Sequence, residues 1–146
     1  PLSSGQICNM SQGPDKITAE LVAANEAFYD AFDTGDMDAM AEVWAAELPV
    51  ACIHPGGGAI TGREEVLQSW REILSASGRP AIQCLEPEPL VFNDSGLVIC
   101  TEALAGGRLV ASNLFALENG VWRMVHHQAG PMNTPMPRRS SGPSLH

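Results

Sequence analysis

Val50-Ala-Cys-Ile-His-Pro-Gly-Gly-Gly58 and the segment behind it, Thr61-Gly-Arg-Glu-Glu-Val-Leu-Gln-Ser-Trp70, decide how the rest of the chain is read. Residues 50–53 are apolar and suit a short strand with His54 at its end. Pro55 has no N–H to give a ladder, so the strand stops there. Three glycines then turn the chain. Thr61, with Glu64 three residues on, reads as a capping box that opens a helix. The imidazole of His54 is therefore expected at the mouth of a strand-to-helix turn, beside a helix that carries Trp70. This places a small-molecule pocket without naming its ligand.

Outward from this stretch the periodicity changes. Before it, Asp15 can cap a helix running to about Asp33, with Ile17, Leu21, Ala24, Phe28 and Phe32 on one face. Thr34-Gly35 ends that helix. Asp36 caps a short second one with Met37, Met40, Val43 and Trp44 on its apolar side, and Pro49 closes it. After the glycines, Val66, Leu67, Trp70, Ile73 and Leu74 form the stripe of a third helix from Arg63 to about Ala76, broken by Ser77-Gly-Arg-Pro80. Strands follow: 81–92, with Pro87 and Pro89 marking a bulged or edge position; 97–104; 108–117; and 121–129. Asn119-Gly120 is a tight hairpin signal, because both residues tolerate positive φ. Residues 1–14 and 131–146 read as flexible tails, and 15–130 as one domain. Helices followed by an antiparallel meander predict an α+β fold, helices on one face of a bent sheet.

The chain has 146 residues, 45% hydrophobic and 17% charged, enough to fill one core. A net charge of −9 argues against nucleic acid and against an anionic membrane surface as partners. No apolar run approaches the roughly 20 residues of a membrane span. The first residues lack the basic start of a secretory signal. Cys8, Cys52, Cys84 and Cys100 form no Cys-x-x-Cys pair, and three of them fall in apolar strand-like runs. Such cysteines act as small buried hydrophobes, so a reducing, cytoplasmic setting is expected.

The order of elements, together with Phe28-Tyr-Asp-Ala-Phe-Asp-Thr-Gly-Asp-Met-Asp38, Cys52-Ile-His-Pro-Gly56, Thr61-Gly-Arg-Glu-Glu65 and Gly120-Val-Trp-Arg-Met-Val-His-His127, resembles the SnoaL-like group. That group belongs to the nuclear transport factor two-like superfamily, with ketosteroid isomerase and the association domain of calmodulin-dependent kinase. The resemblance covers roughly residues 15–130. It implies a cone-shaped barrel, three N-terminal helices packed on a curved, mainly antiparallel sheet. Laid against ketosteroid isomerases, the general-base aspartate falls on His54, the oxyanion tyrosine on Phe28, two supporting tyrosines on Trp44 and Trp70, and the second oxyanion acid near Ser112. Phe28 can donate nothing, so the usual steroid isomerisation is not expected. Tyr29 stands one residue out of register, about 100° around the helix, and does not simply substitute.

His54 has two readings: a base or ligand partner inside the cone, since imidazole titrates near neutral pH, or a tie for the glycine loop. His126 and His127 are neighbours on a strand and face opposite ways. The resemblance turns Val121, Arg123, Val125, His127 and Ala129 inward, so that His127 looks toward His54. It turns Trp122, Met124 and His126 outward, onto a face that often meets a second subunit. The expected catalytic residues are thus His54 and His127. The expected ligand-binding residues are Phe28, Trp44, Trp70, Ser112, Asn113 and Val125, with Met40, Leu67 and Phe115 as further apolar walls and Arg108 as a further polar contact. The ligand expected is small, apolar or carbonyl-containing. His54, His127 and Glu102 could together hold a metal, but their spacing matches no standard motif, and no metal or cofactor is expected. Gly56–Gly58 lacks the lysine of a phosphate loop, and no Ser-His-Asp arrangement has its neighbouring motif. Two functions follow. One is a small-molecule-binding protein that, as an enzyme, would be an isomerase, cyclase or dehydratase with His54 as base. The other is a non-catalytic homodimeric association module.

Overall fold

The computed structural model describes the backbone of residues 3–132 and the side chains of residues 13–132. The elements run α1 (Ser3–Thr34), α2 (Met37–Val43), β1 (Ala51–Ile53), β2 (Ala59–Thr61), α3 (Arg63–Ser75), β3 (Gln83–Phe92), β4 (Ser95–Leu104), β5 (Gly107–Glu118) and β6 (Val121–Pro131). The six strands make one sheet in the order β2-β1-β6-β5-β4-β3, and the three helices pack on its concave face. The fold is the α+β cone. No described helix is long and apolar enough to cross a membrane.

Helix α1 begins ahead of the expected cap at Asp15 and passes through Pro14, so residues 3–14 are helical rather than a tail. A proline removes its own N–H from the ladder, and the turns on either side keep theirs. The second expected tail falls on 133–146, outside the described residues. Pro131 closes β6, and Met132 still donates its N–H to Arg108 O at 3.0 Å. On α1, Leu21, Phe28 and Phe32 are buried as their spacing demands, but Ile17 is exposed, and Asn25 and Tyr29 join the core. Gly35, at φ +69, ends the helix. Asp36 then caps α2 by accepting from Ala39 N at 3.0 Å.

The segment after β1 is where local reading and structure part. His54-Pro-Gly-Gly57 is a turn closed by Gly57 N–H to His54 O at 2.8 Å, with Gly56 at φ +78. Proline followed by a positive-φ glycine is the type II pattern. It folds the chain back into β2, which pairs antiparallel with β1 and puts Thr61 opposite Ala51. Thr61 therefore ends a strand and does not cap the helix. The N-cap of α3 is Gly62, at φ 91 with no side-chain bond, so the expected capping box does not form. The ladder with β1 keeps Thr61 in the strand, and the helix starts only at Arg63, so Gly62 takes the cap position one residue after Thr61.

Strand β1 pairs parallel with β6, Cys52 opposite His127. Every other pairing between these strands is antiparallel, and Trp44 adds an isolated parallel bridge to Met124. β3 is an outer strand, and a register shift between Leu85 and Glu88 accompanies Pro87 and Glu86, which sits at φ 51. The Asn119-Gly120 hairpin is as expected, with both residues at positive φ.

A second shift governs the inside of the sheet. Leu114 pairs with His126, but Phe115 pairs with Met124, leaving Val125 as the extra residue of a bulge. Alternation therefore breaks at Val125. Trp122 and Met124 on one side of it, and His127 and Ala129 on the other, are all buried on the concave face. The expected outward set fails for Trp122 and Met124. The Trp122 indole donates to Ile17 O at 3.3 Å, and Met124 O accepts from Ala45 N at 3.0 Å. Arg123, expected in the pocket, instead bonds Glu42 of α2.

Two arginines tie helix ends that would otherwise leave bare carbonyls. Arg63 donates to Trp44 O, Ala45 O and Ala41 O at 2.9, 2.7 and 3.1 Å. Arg79 donates to Phe32 O, Asp33 O and Leu74 O at 3.1, 3.0 and 3.3 Å. α1 packs tightly on the sheet at Gly96, where an added Cβ would stand 2.7 Å from a Leu21 methyl. Leu21 is fully buried and has nowhere to go. Gly96→Ala should therefore cost about 1–3 kcal/mol in denaturant unfolding; an unchanged midpoint would mean that Leu21 has room to move.

Candidate functional site

The concave face is solid at one end and hollow at the other. Trp44, Val98, Phe115 and Met124 are fully buried at the first end, outside which a surface groove of about 570 Å³ runs between α1, α2 and β6. At the other, a cavity of about 310 Å³ opens between α1, α3 and the sheet. Phe28, Phe32 and Trp70 wall it from the helices, Leu104 and Leu109 from the sheet. Its polar members are His54, His127, Tyr29 and Glu102.

His54 sits just past β1, half-buried, where the turn holds it at the rim. Its Nε2 lies 2.9 Å from Ser69 Oγ. The Ser69 hydroxyl donates its own proton to Val66 O at 2.7 Å, so it can only accept from His54. This assigns the proton to Nε2 and leaves Nδ1 unprotonated, with the Cys52 Sγ at 4.0 Å as its neighbour. The ring stands edge-on to Trp70, centroids 4.7 Å apart. Burial lowers its pKa from the ordinary 6.5, so the ring is neutral at neutral pH.

His127, on β6, is 3% exposed and packs against Phe28 and Trp70 at 4.8 and 5.7 Å. Its Nδ1 meets Asn113 Oδ1 at 2.6 Å. The Asn113 amide nitrogen donates to Asn25 Oδ1 at 2.9 Å and to Tyr29 Oη at 3.1 Å, which fixes the amide so that its oxygen faces the imidazole. His127 therefore carries its proton on Nδ1, and its Nε2 is bare. Burial first, then the nearby His54 and His126, push its pKa from 6.5 down to about 3.

The same bond chain continues through Tyr29, whose hydroxyl donates to Glu102 Oε2 at 2.7 Å. Burial pushes the phenol far above its usual range, with Glu102 adding to the effect. Burial also raises the Glu102 carboxyl, while the Tyr29 bond opposes it. Phe28 and Tyr29, though consecutive, both reach the cavity. They are 100° apart on a helix that lies in a curved sheet, and the buried arc is wide enough for both. Tyr29 is thus a member of the site, with its hydroxyl committed to Glu102.

Four of the expected residues wall the cavity: His54, His127, Phe28 and Trp70. Asn113 is buried one step behind, holding His127. Trp44 lies in the solid end, and its indole N–H has no hydrogen-bond partner among the described residues. Ser112 is exposed on the convex face, because its neighbours Ala111 and Asn113 take the concave one. Val125 is the bulge residue and does not wall the cavity, nor do Met40, Leu67, Phe115 or the exposed Arg108. Glu102 shares the cavity with both histidines, but among the described residues no three His, Cys, Asp or Glu side chains converge enough to hold a metal. Cys52, Cys84 and Cys100 are free thiols.

A SnoaL-like domain profile matches residues 21–134. The chain belongs to the SnoaL-like family. It is similar to a Streptomyces avermitilis protein provisionally described as a dehydratase of the NTF2-like family, at 29% identity and TM-score 0.77, over 83% of this chain and 99% of that one. It is similar to a Thiobacillus denitrificans protein provisionally described as a calcium/calmodulin-dependent protein kinase type II association domain, at 34% identity and TM-score 0.67, over 75% of this chain and 93% of that one. It also matches the F-box protein SKIP8 of Arabidopsis thaliana, 29% identical over 117 residues, which are 79% of this chain. The chain spans about half, 51%, of that relative's length.

The neutral, buried His127 makes stability pH-dependent. The unfolded chain takes up this proton near pH 6.5, the folded chain only near 3. Stability is therefore full above 6.5 and is lost as pH falls toward 3, by about 1.4 kcal/mol per pH unit. Glu102 acts in the opposite sense but is common to both proteins when wild type is compared with His127→Phe. Their unfolding free energies, followed from about pH 7 to about pH 4, should converge or cross by that slope, with wild type losing. Parallel curves would mean that the ring takes up protons in the folded state.

Proposed function

We propose that the chain binds a small, largely apolar molecule in the 310 Å³ cavity and that His54 removes a proton from it. The observation that supports this most directly is the Ser69 bond. It fixes the His54 tautomer with Nδ1 unprotonated, at the edge of an apolar cavity whose burial keeps the ring neutral and so able to accept a proton. His127, with Nε2 also bare and Nδ1 held by Asn113, is the second acceptor. A carbon acid beside a carbonyl is the natural substrate of such a base, and isomerisation, cyclisation or loss of water are its outcomes. In the last, the carbon gives its proton to His54, the hydroxyl on the neighbouring carbon takes that proton from the imidazolium and leaves as water, and a double bond forms between the two carbons, with His54 neutral again. The likeness to a protein provisionally described as a dehydratase supports that member of the set.

The reading is tested with small cyclic ketones in deuterated buffer. Wild type should speed deuterium uptake next to the carbonyl, and His54→Ala should lower that rate by about 10²-fold or more. Equal rates for both proteins would remove His54 as the base. Leu109→Trp, which fills the cavity, should abolish ketone binding seen in native mass spectra.

A second reading, a homodimeric association module, draws on the convex face. There Leu90, Phe92 and Val110 are exposed, and Leu90, Leu97, Leu114 and His126 stand opposite one another in a single row across four strands. Such a row is self-complementary when two sheets meet. With Trp122 and Met124 turned inward, these residues take their place in the proposed interface. Leu90→Glu combined with Phe92→Glu should convert a dimer to a monomer in sedimentation; an unchanged mass would rule out this face.

A further inference from the structure

The polar groups of the cavity have an imbalance that bears on the chemistry of its ligand. The residues that line it include no lysine or arginine. Each hydrogen-bond donor there is already committed: His54 Nε2–H to Ser69, His127 Nδ1–H to Asn113, and the Tyr29 hydroxyl to Glu102. The Trp70 indole nitrogen has no accessible surface, so that ring presents only carbon to the cavity. What remains is acceptors: the unprotonated nitrogens of two imidazoles, that of His54 with Cys52 Sγ 4.0 Å away, and the Glu102 carboxyl.

Glu102 is the sharpest of these. It is 3% exposed, and Tyr29 is its one hydrogen-bond donor among the described residues. A buried carboxyl needs either a proton or a cation. Three features favour the cation. Tyr29 donates to the carboxyl, a bond that strengthens when the acceptor is charged. The walls are the rings of Phe28, Phe32 and Trp70, whose faces attract a positive group. Beyond Tyr29, a surface groove shares Pro80, Ile82 and Leu104 with the cavity wall and carries Glu26, Asp30 and Asp33. Those three, spaced four and three apart, lie on one face of α1, and a groove of one charge draws in ligands of the other. Anions meet nothing favourable on this route.

We propose that the ligand of this cavity is a small apolar amine, its protonated nitrogen on the Glu102 carboxylate and its hydrocarbon part against the aromatic wall. The inference rests on the cavity-binding reading above, but not on proton transfer by His54. A volume of 310 Å³ suits a molecule of roughly ten non-hydrogen atoms.

Titration calorimetry with three probes of one shape decides it: 2-phenylethylamine, 2-phenylethanol and phenylacetate. Wild type should bind the amine about tenfold or more tighter than the alcohol, a margin typical of one charge-assisted bond, and the anion not measurably. In Glu102→Gln the preference for the amine should vanish while the alcohol binds as before. Tyr29→Phe should reduce that preference. Equal affinity of amine and alcohol in wild type, or a preference that survives in Glu102→Gln, overturns the amine inference and leaves the cavity reading standing. If neither probe binds, both fall. Should Glu102→Gln fail to fold, the amine-to-alcohol ratio in wild type still decides, with Leu109→Trp showing that the heat comes from this cavity.

Discussion

One extra residue in β6 sets the interior of this protein. If β6 alternated without a break, burying His127 would turn Trp122 and Met124 to the convex face, and burying those two would turn His127 away from the cavity. The bulge at Val125 reconciles the two demands. Trp122 and Met124 fill the solid end of the cone under α1 and α2, while His127 and Ala129 reach the hollow end. The same strand pairs parallel with β1, Cys52 opposite His127, and so brings His54 to the site two residues beyond. Core, cavity and the two histidines all depend on that local irregularity.

From His127 a single line of hydrogen bonds crosses the molecule through Asn113 and Tyr29 to Glu102. It satisfies polar groups that would be costly to bury alone. It also fixes which atoms remain free. Each proton along it is committed inward, so the cavity meets a ligand with lone pairs and a carboxyl. The Ser69 hydroxyl does the same for His54 from the other side. The chemistry open to the site follows from where these protons are held as much as from which residue types line it.

The family relationship is one of fold, and folds of this kind carry varied functions. The similar structures illustrate the range, one provisionally described as a dehydratase and another as a kinase association domain. In this chain the two proposed readings draw on different faces. The concave face offers a base and a cavity; the convex face offers a registered apolar row.

The order of helices and strands, the Asp36 cap, the Asn119-Gly120 hairpin and the position of His54 after a short strand were legible from residues alone, because each depends on neighbours within a turn or two. The inward course of His127 was legible too, through the family resemblance. What the sequence could not supply was anything decided by contacts distant along the chain. β2 exists because β1 pairs with it, which holds Thr61 in a strand and moves the cap to Gly62. Val125 is extruded because Leu114 and Phe115 pair on either side of it. Tyr29 and Glu102, 73 positions apart, meet only when α1 lies in the curve of the sheet. Trp44 has the composition of a pocket wall, but α2 delivers it to the filled end. Local periodicity fixes which face of an element is apolar; only the packed sheet, with its register and its bulge, decides what that face meets.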